Sequence, residues 1–94
     1  MVAHVYILAS KKDGALYIGV TTQLAQRMEQ HAAGVIGHTA RYNIRHLVHL
    51  EEFENLQDAR EREWRLKKWK RAWKVELIEA GNPDWRDLRS EIRA

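Results

Sequence analysis

Two apolar runs open the chain, "HVYILAS" at 4–10 and "ALYIGV" at 15–20, with only "KKDG" between them. Both are rich in β-branched and aromatic residues, which favour strands. So short a connection can join only antiparallel neighbours, because a parallel crossover needs about a dozen residues or more. Asp13-Gly14 supplies the turn chemistry. Two registers are open. A loop of residues 11–14 sets Ser10 opposite Ala15 and Tyr6 opposite Gly19, whereas a loop of Asp13-Gly14 alone slides the pairing by two positions. Side chains alternate along a strand, so in either register Tyr6, Leu8, Tyr17 and Gly19 share one face.

Thr21 or Thr22 is placed to cap a helix running to about Ala33 and closed by Gly34. Its apolar stripe is Leu24, Met28, His31, Ala32 and Val35, with Arg27 at the edge. Arg27 and His31 are four apart, so their side chains can meet over one site. "GVIGHTARYNIR" lacks a clean period and reads as a loop. "HLVHLEEFE" reads as a third strand with Leu47 or Val48 inward. Asn55 with Asp58 begins the next helix. Its apolar positions are Leu56, Ala59, Leu66, then Trp69 or Lys70, and Trp73. The four-residue step from Ala59 lands on Glu63, a carboxylate where the pattern asks for an apolar residue. "RAWKVELIEA" continues as helix past a bend near Lys70, until Gly81 and Pro83 end it. "PDWRDLRSEIRA" is a short terminal helix. The expected fold class is α+β, with a small three-stranded antiparallel sheet flanked by helices in the order β-β-α-β-α-α.

The 94 residues fit one domain, 1–94, and a hydrophobic share of 45% supplies one modest core. The absence of cysteine excludes disulfides, thiolate zinc sites and cysteine nucleophiles. No apolar run approaches the roughly 20 residues that span a bilayer. The first residues lack the basic start of a signal peptide. A cytoplasmic location without membrane association is expected. The formal net charge is +3, compatible with a polyanionic partner. Positive charge concentrates in "REREWRLKKWKRAWK" at 60–74, which also carries Trp64, Trp69 and Trp73. Such a stretch is either a solvated helix face with tryptophans turned inward or a phosphate-binding surface.

Taken singly, the polar residues have ordinary explanations. Glu63 can pair with Lys67, His31 can be a packed histidine, and Arg27 a surface charge. Together, two same-face tyrosines, an Arg–His pair and an out-of-pattern glutamate can surround one pocket. In that order and spacing the chain resembles the GIY-YIG nuclease superfamily. The motifs are "VYI" at 5–7, "YIG" at 17–19, the arginine and histidine of the first helix, and "REWRLKKW" around Glu63. "YILASKKDGALYIGVTTQLAQRMEQH", "LKKW" and "NPDWRDL" are similar to its small single-domain bacterial members, and the similarity covers almost the whole chain.

The resemblance implies hydrolysis of phosphodiester bonds with one divalent cation, Mg²⁺ or alternatively Mn²⁺. The family's two motif tyrosines fall on Tyr6 and Tyr17, its helix arginine on Arg27, its metal-binding glutamate on Glu63, and a histidine of some members on His31. Tyr6 is preferred as general base and Tyr17 as the group that orients water or phosphate, the reverse assignment being nearly as good. The first motif departs from the family by reading His4-Val5-Tyr6. The family's late asparagine falls on Val75, with Asn82 the nearest candidate, which can equally serve the turn before Pro83. Arg41, Tyr42, Lys67, Lys68, Lys70, Arg71 and Lys74 are candidate nucleic-acid contacts. The expected partner is nucleic acid, DNA before RNA, with a protein partner or homodimer left open. The alternatives are a non-cleaving nucleic-acid-binding module of the same fold and a protein-interaction domain.

Overall fold

A computed structural model describes residues 2–92, with His38 described by its backbone alone. The first strands, β1 (Ala3–Ala9) and β2 (Leu16–Thr21), pair antiparallel with Tyr6 opposite Gly19 and Leu8 opposite Tyr17. This is the register of the longer loop, closed by Ser10 N–H donating to Ala15 O at 3.0 Å. Asp13 takes the left-handed conformation in the turn (φ 61°). The third strand, β3 (His46–Phe53), pairs antiparallel with β1 on its other side, giving the order β2-β1-β3. The sheet is therefore three-stranded and antiparallel, as expected, and its central strand β1 is buried along almost all of its length.

Both faces of β1 are covered. Val5 and Ile7 pack with Ile18, Val48, Trp85 and the helices α3 (Leu56–Lys68) and α4 (Arg71–Gly81). Tyr6 and Leu8 pack on the opposite face with Leu47, Ile44 and Met28 of helix α1 (Leu24–Ala32). A β-bulge lets β3 serve both faces: Leu8 pairs with Leu47, yet Ile7 pairs with His49. The extra residue resets the alternation, so Leu47 and Leu50, three apart, both join Tyr6. Leu47 and Val48 are then both inward, each on its own face.

At its N-terminus α1 differs from the expected cap at Thr21 or Thr22. Its N-cap is Gln23, and Thr21 Oγ1 accepts a bond from the Gln23 N–H at 2.9 Å one step earlier. Its C-terminus closes as expected at Gly34, which is left-handed (φ 75°). Gly34 N–H donates to His31 O and Val35 N–H to Gln30 O, the paired bonds that end a helix through a left-handed residue. The chain turns away there, so Val35 is exposed instead of extending the stripe; Ala32, still within the helix, is exposed as well.

Residues 37–41, expected as loop, form a short helix α2 (Gly37–Arg41). Its cause is tertiary: Thr39 is fully buried, and its hydroxyl donates to Ile36 O. Asn55 caps α3 as expected, accepting the Asp58 N–H at 2.8 Å while its amide donates to the Asp58 carboxylate. The bend near Lys70 is a full break, with Trp69 and Lys70 both extended between α3 and α4. Of the expected terminal helix over 83–94, the described residues form a single 3-10 turn at Leu88–Glu91, and residues 93 and 94 lie outside them.

Gly19 is the tightest point of this packing. A Cβ there would lie 2.4 Å from Tyr6 Oη and 2.5 Å from Cζ, so only glycine lets the Tyr6 ring cross β2. Tyr6 is fully buried and cannot swing out without opening the sheet face. Gly19→Ala is expected to destabilise the fold by roughly 1–3 kcal/mol, the usual range for overpacking a filled core. Urea unfolding of both proteins measures this, and an unchanged midpoint would show that Tyr6 yields freely.

Candidate active site

Tyr6 projects from the central strand across the space at Gly19, and Tyr17 stands on the same face of β2. His31, on the last turn of α1, brings Nε2 to 3.0 Å from Tyr6 Oη. The three rings form one cluster, with centroids 6.2 Å apart for Tyr6–Tyr17, 5.5 Å for Tyr6–His31 and 5.4 Å for Tyr17–His31. Tyr6 and His31 have no exposed surface, while Tyr17 is partly exposed. Thr39 Oγ1 lies 2.9 Å from His31 Nδ1, so both nitrogens of this buried imidazole are partnered.

Arg27, one turn before His31, sets its guanidinium beside the Tyr6 hydroxyl. It also lines an open cleft of about 420 Å³ with Thr22, Gln26, Gln30 and Arg60 of α3. It thus joins the buried cluster to solvent. Arg60 lines the same cleft and was not singled out in the sequence; its only signal was a place one turn before Glu63. Thr39 was missed entirely, since it falls in a segment without periodicity.

Burial pushes the Tyr6 phenol well above its ordinary pKa; the neighbouring Tyr17 and Glu63 add to this, and Arg27 opposes it. Burial, and then the charge of Arg27, pushes His31 down to about 4. The Tyr6–His31 pair is therefore neutral at pH 7.

Glu63 lies on α3 within the stripe from Ala59 to Leu66, with one-fifth of its side chain exposed. Its carboxylate makes the ion pair with Lys67 that the sequence allowed, at 3.1 Å, and its charge also reaches Tyr6. Among the described residues no group of three or more His, Asp or Glu side chains could hold a metal ion. A lone, partly shielded carboxylate does not suit zinc, but it does suit Mg²⁺, which binds through one or two carboxylates and keeps most of its waters.

The remaining candidates are spread more widely. Asn82 is buried, and its amide is spent on Val48 O, Arg86 O and the Arg86 N–H, so it secures the β3 bulge and the following turn. Arg71 donates to Gly14 O at 2.7 Å and braces the hairpin turn. Lys68 sits over exposed Trp64 at 3.5 Å, and Lys70 over exposed Trp73 at 5.7 Å. Two of the three tryptophans in this stretch therefore face solvent, while Trp69 is half-buried. Lys74 is half-buried on α4, and Arg41 lies over the exposed Tyr42 ring at 5.6 Å on the α2 side.

A family comparison matches residues 2–76 to the GIY-YIG catalytic domain. The chain belongs to the GIY-YIG family. It is 37% identical to a UPF0213 protein of Syntrophus aciditrophicus, over 86% of this chain and 93% of that protein. It is 36% identical to a UPF0213 protein of Clostridium perfringens, over 95% of this chain and 96% of the relative. Among solved structures it matches the solution NMR structure of the UPF0213 protein of Bacillus halodurans at 30% identity and a TM-score of 0.57, covering 93% of each chain. The GIY-YIG fold is thus shown by sequence and by structure. Among the described residues, no helix is long and apolar enough to cross a membrane.

The neutrality of His31 has a thermodynamic sign. Its pKa is about 4 in the fold and about 6.5 in an unfolded chain. Between those values the unfolded chain binds a proton that the native protein excludes, so stability falls as the pH drops from about 6.5 towards 4. Glu51 adds a second loss below about 4.5. Burial opposes its ionisation, but bonds from His49 and Arg62 outweigh that and hold it down at about 2. Melting temperatures across pH 4–7 should fall on acidification in the natural protein. The part of the fall above about pH 4.5 should be absent from His31→Asn. A parallel fall in both proteins would show that His31 titrates normally.

Proposed function

We propose that this chain is a metal-dependent endonuclease that hydrolyses phosphodiester bonds in nucleic acid, DNA in the first instance. The observation that supports this most is Arg27, held between the buried Tyr6–His31 pair and an open polar cleft, with Glu63 close enough to act on the same phenol. In this reading the cleft receives the phosphate backbone. The Arg27 guanidinium offers its planar fork to the phosphate oxygens on which charge builds during attack. Tyr17, which is partly exposed, orients the attacking water and takes its proton as general base. The sequence preference for Tyr6 in the base role gives way here, because Tyr6 has no surface to offer a water molecule. Tyr6 and His31 instead hold Arg27 in place. Glu63 is the residue that would hold Mg²⁺ or Mn²⁺, releasing Lys67 to the backbone. A bound divalent cation supplies polarisation of the scissile phosphate and stabilisation of the leaving oxygen. Arg60, Lys67 and Lys68 add sequence-independent phosphate affinity. A second reading, a binding module that does not cleave, is favoured by the occupied state of Glu63, whose carboxylate is already neutralised by Lys67.

Cleavage of supercoiled plasmid and of branched duplexes, over a titration of Mg²⁺ or Mn²⁺, separates the readings. The natural protein should cleave only with metal. Glu63→Gln should abolish cleavage while leaving the fold intact, since Gln keeps the shape and an ion pair whose lysine is in solvent contributes at most about 1 kcal/mol. A folded Glu63→Gln protein with full activity would end the one-metal reading. Binding without cleavage in every condition would establish the second.

Arg27→Lys should bind nucleic acid with nearly unchanged affinity yet cleave on the order of 100-fold more slowly, as expected when a preorganised donor is lost. Single-turnover rates at saturating protein provide the measurement. An unchanged rate would place Arg27 outside the chemistry.

A further inference from the structure

His31 meets the rest of the cluster through two nitrogens, and what each of them does depends on which one carries the proton. The geometry around it decides this from both ends. At one end stands a group that can only accept. Thr39 Oγ1 is 3.1 Å from the Ile36 carbonyl and 2.9 Å from His31 Nδ1. A hydroxyl has one proton to give. If it went to Nδ1, the Thr39 and Ile36 oxygens would face each other as two acceptors. Given to Ile36 O, it leaves Thr39 Oγ1 free to accept from Nδ1–H.

At the other end stands a group that can only donate. The Arg27 guanidinium lies against the Tyr6 hydroxyl, whose second neighbour is His31 Nε2 at 3.0 Å. A cation beside the phenol draws the Tyr6 oxygen lone pairs towards itself and repels a proton, so the Tyr6 proton is turned to Nε2. That bond requires Nε2 to be bare. The acceptor-only end and the donor-only end thus demand the same tautomer. Thr39, His31 and Tyr6 are all fully buried, so no water can reverse the order.

We infer that Thr39 is a positioning residue, which fixes His31 as the Nδ1–H tautomer and so orders a one-way chain from Arg27 through Tyr6 and His31 to the Ile36 carbonyl. The chain leaves the Tyr6 oxygen lone pairs turned towards the Arg27 charge. Reversing the imidazole would present Nε2–H to Tyr6, and the phenol proton would be driven towards a cation. The guanidinium would lose its internal anchor. On the nuclease reading proposed above, this is how a residue in α2, outside the cleft lining, controls the phosphate-binding arginine.

Thr39→Val keeps the shape and removes the hydroxyl, while Thr39→Ser keeps the hydroxyl. Imidazole nitrogen shifts of ¹⁵N-histidine-labelled protein, with His31 assigned through a His31→Asn control, report the tautomer directly. In the natural protein and in Thr39→Ser, Nδ1 should be protonated and Nε2 bare; in Thr39→Val the Nε2–H form should appear. An Nε2–H imidazole in the natural protein overturns the inference, and that measurement stands even if Thr39→Val does not fold. So does a His31 tautomer unchanged in folded Thr39→Val. If the protein cleaves DNA, Thr39→Val should lower the single-turnover rate about tenfold or more, in the range found when a buried orienting partner is removed. Its DNA affinity should be unchanged and Thr39→Ser should restore the rate. Equal loss in the Ser and Val proteins also overturns the inference. Failure of every protein to cleave would count against the nuclease reading alone, because the tautomer is read without turnover.

Discussion

The hydrogen bond between Tyr6 and His31 is the constraint on which much of this molecule rests. It joins the central strand to α1 at a place without solvent. A buried hydroxyl or imidazole left unpaired costs about 1–3 kcal/mol, so neither group can be buried there unless the other is in position. The bond also explains Gly19, since the ring reaches α1 only by crossing a strand residue that has no side chain. It explains the buried Thr39 as well, because the far nitrogen of the imidazole needs its own partner.

From this bond the site extends to solvent through charge. Arg27 acts electrostatically on the buried pair and also lines the open cleft. Tyr6 belongs to the face covered by α1, whereas Glu63 belongs to the helix packed on the other face. They come within electrostatic reach because α3 packs on β2 as well as on β1, at the side of the sheet where Tyr6 crosses Gly19. The site is therefore assembled from both layers of helix around one sheet.

Much of the positive charge in 60–74 is already organised by the fold. Lys67 answers Glu63, Lys68 and Lys70 rest on tryptophan faces, and Arg71 supports the hairpin turn. A lysine lying over an indole still carries its full charge outward, so these contacts shape a cationic surface without neutralising it. Arg71 is different. Its guanidinium serves the hairpin, and reversing its charge would disturb the turn as well as any bound phosphate.

What the sequence determined by itself was whatever covalent spacing controls. The period of a strand put Tyr6, Tyr17 and Gly19 on one face, and the period of a helix put Arg27 beside His31. The Asn55–Asp58 cap and the Gly34 terminus were legible for the same reason, since each is settled within a few residues. Glu63 stood out because it broke a pattern. The tertiary structure decided the rest. Thr39 has no periodic context, and only the approach of His31 makes burying it favourable. Asn82 was ambiguous until Val48, far away in sequence, supplied a carbonyl. Trp73 counted among the apolar positions of one continuous helix, until the break at Trp69 and Lys70 reset the direction of α4 and left it exposed. Contacts between distant segments depend on which faces pack together, and that choice is made by burial of the whole core, which no local spacing encodes.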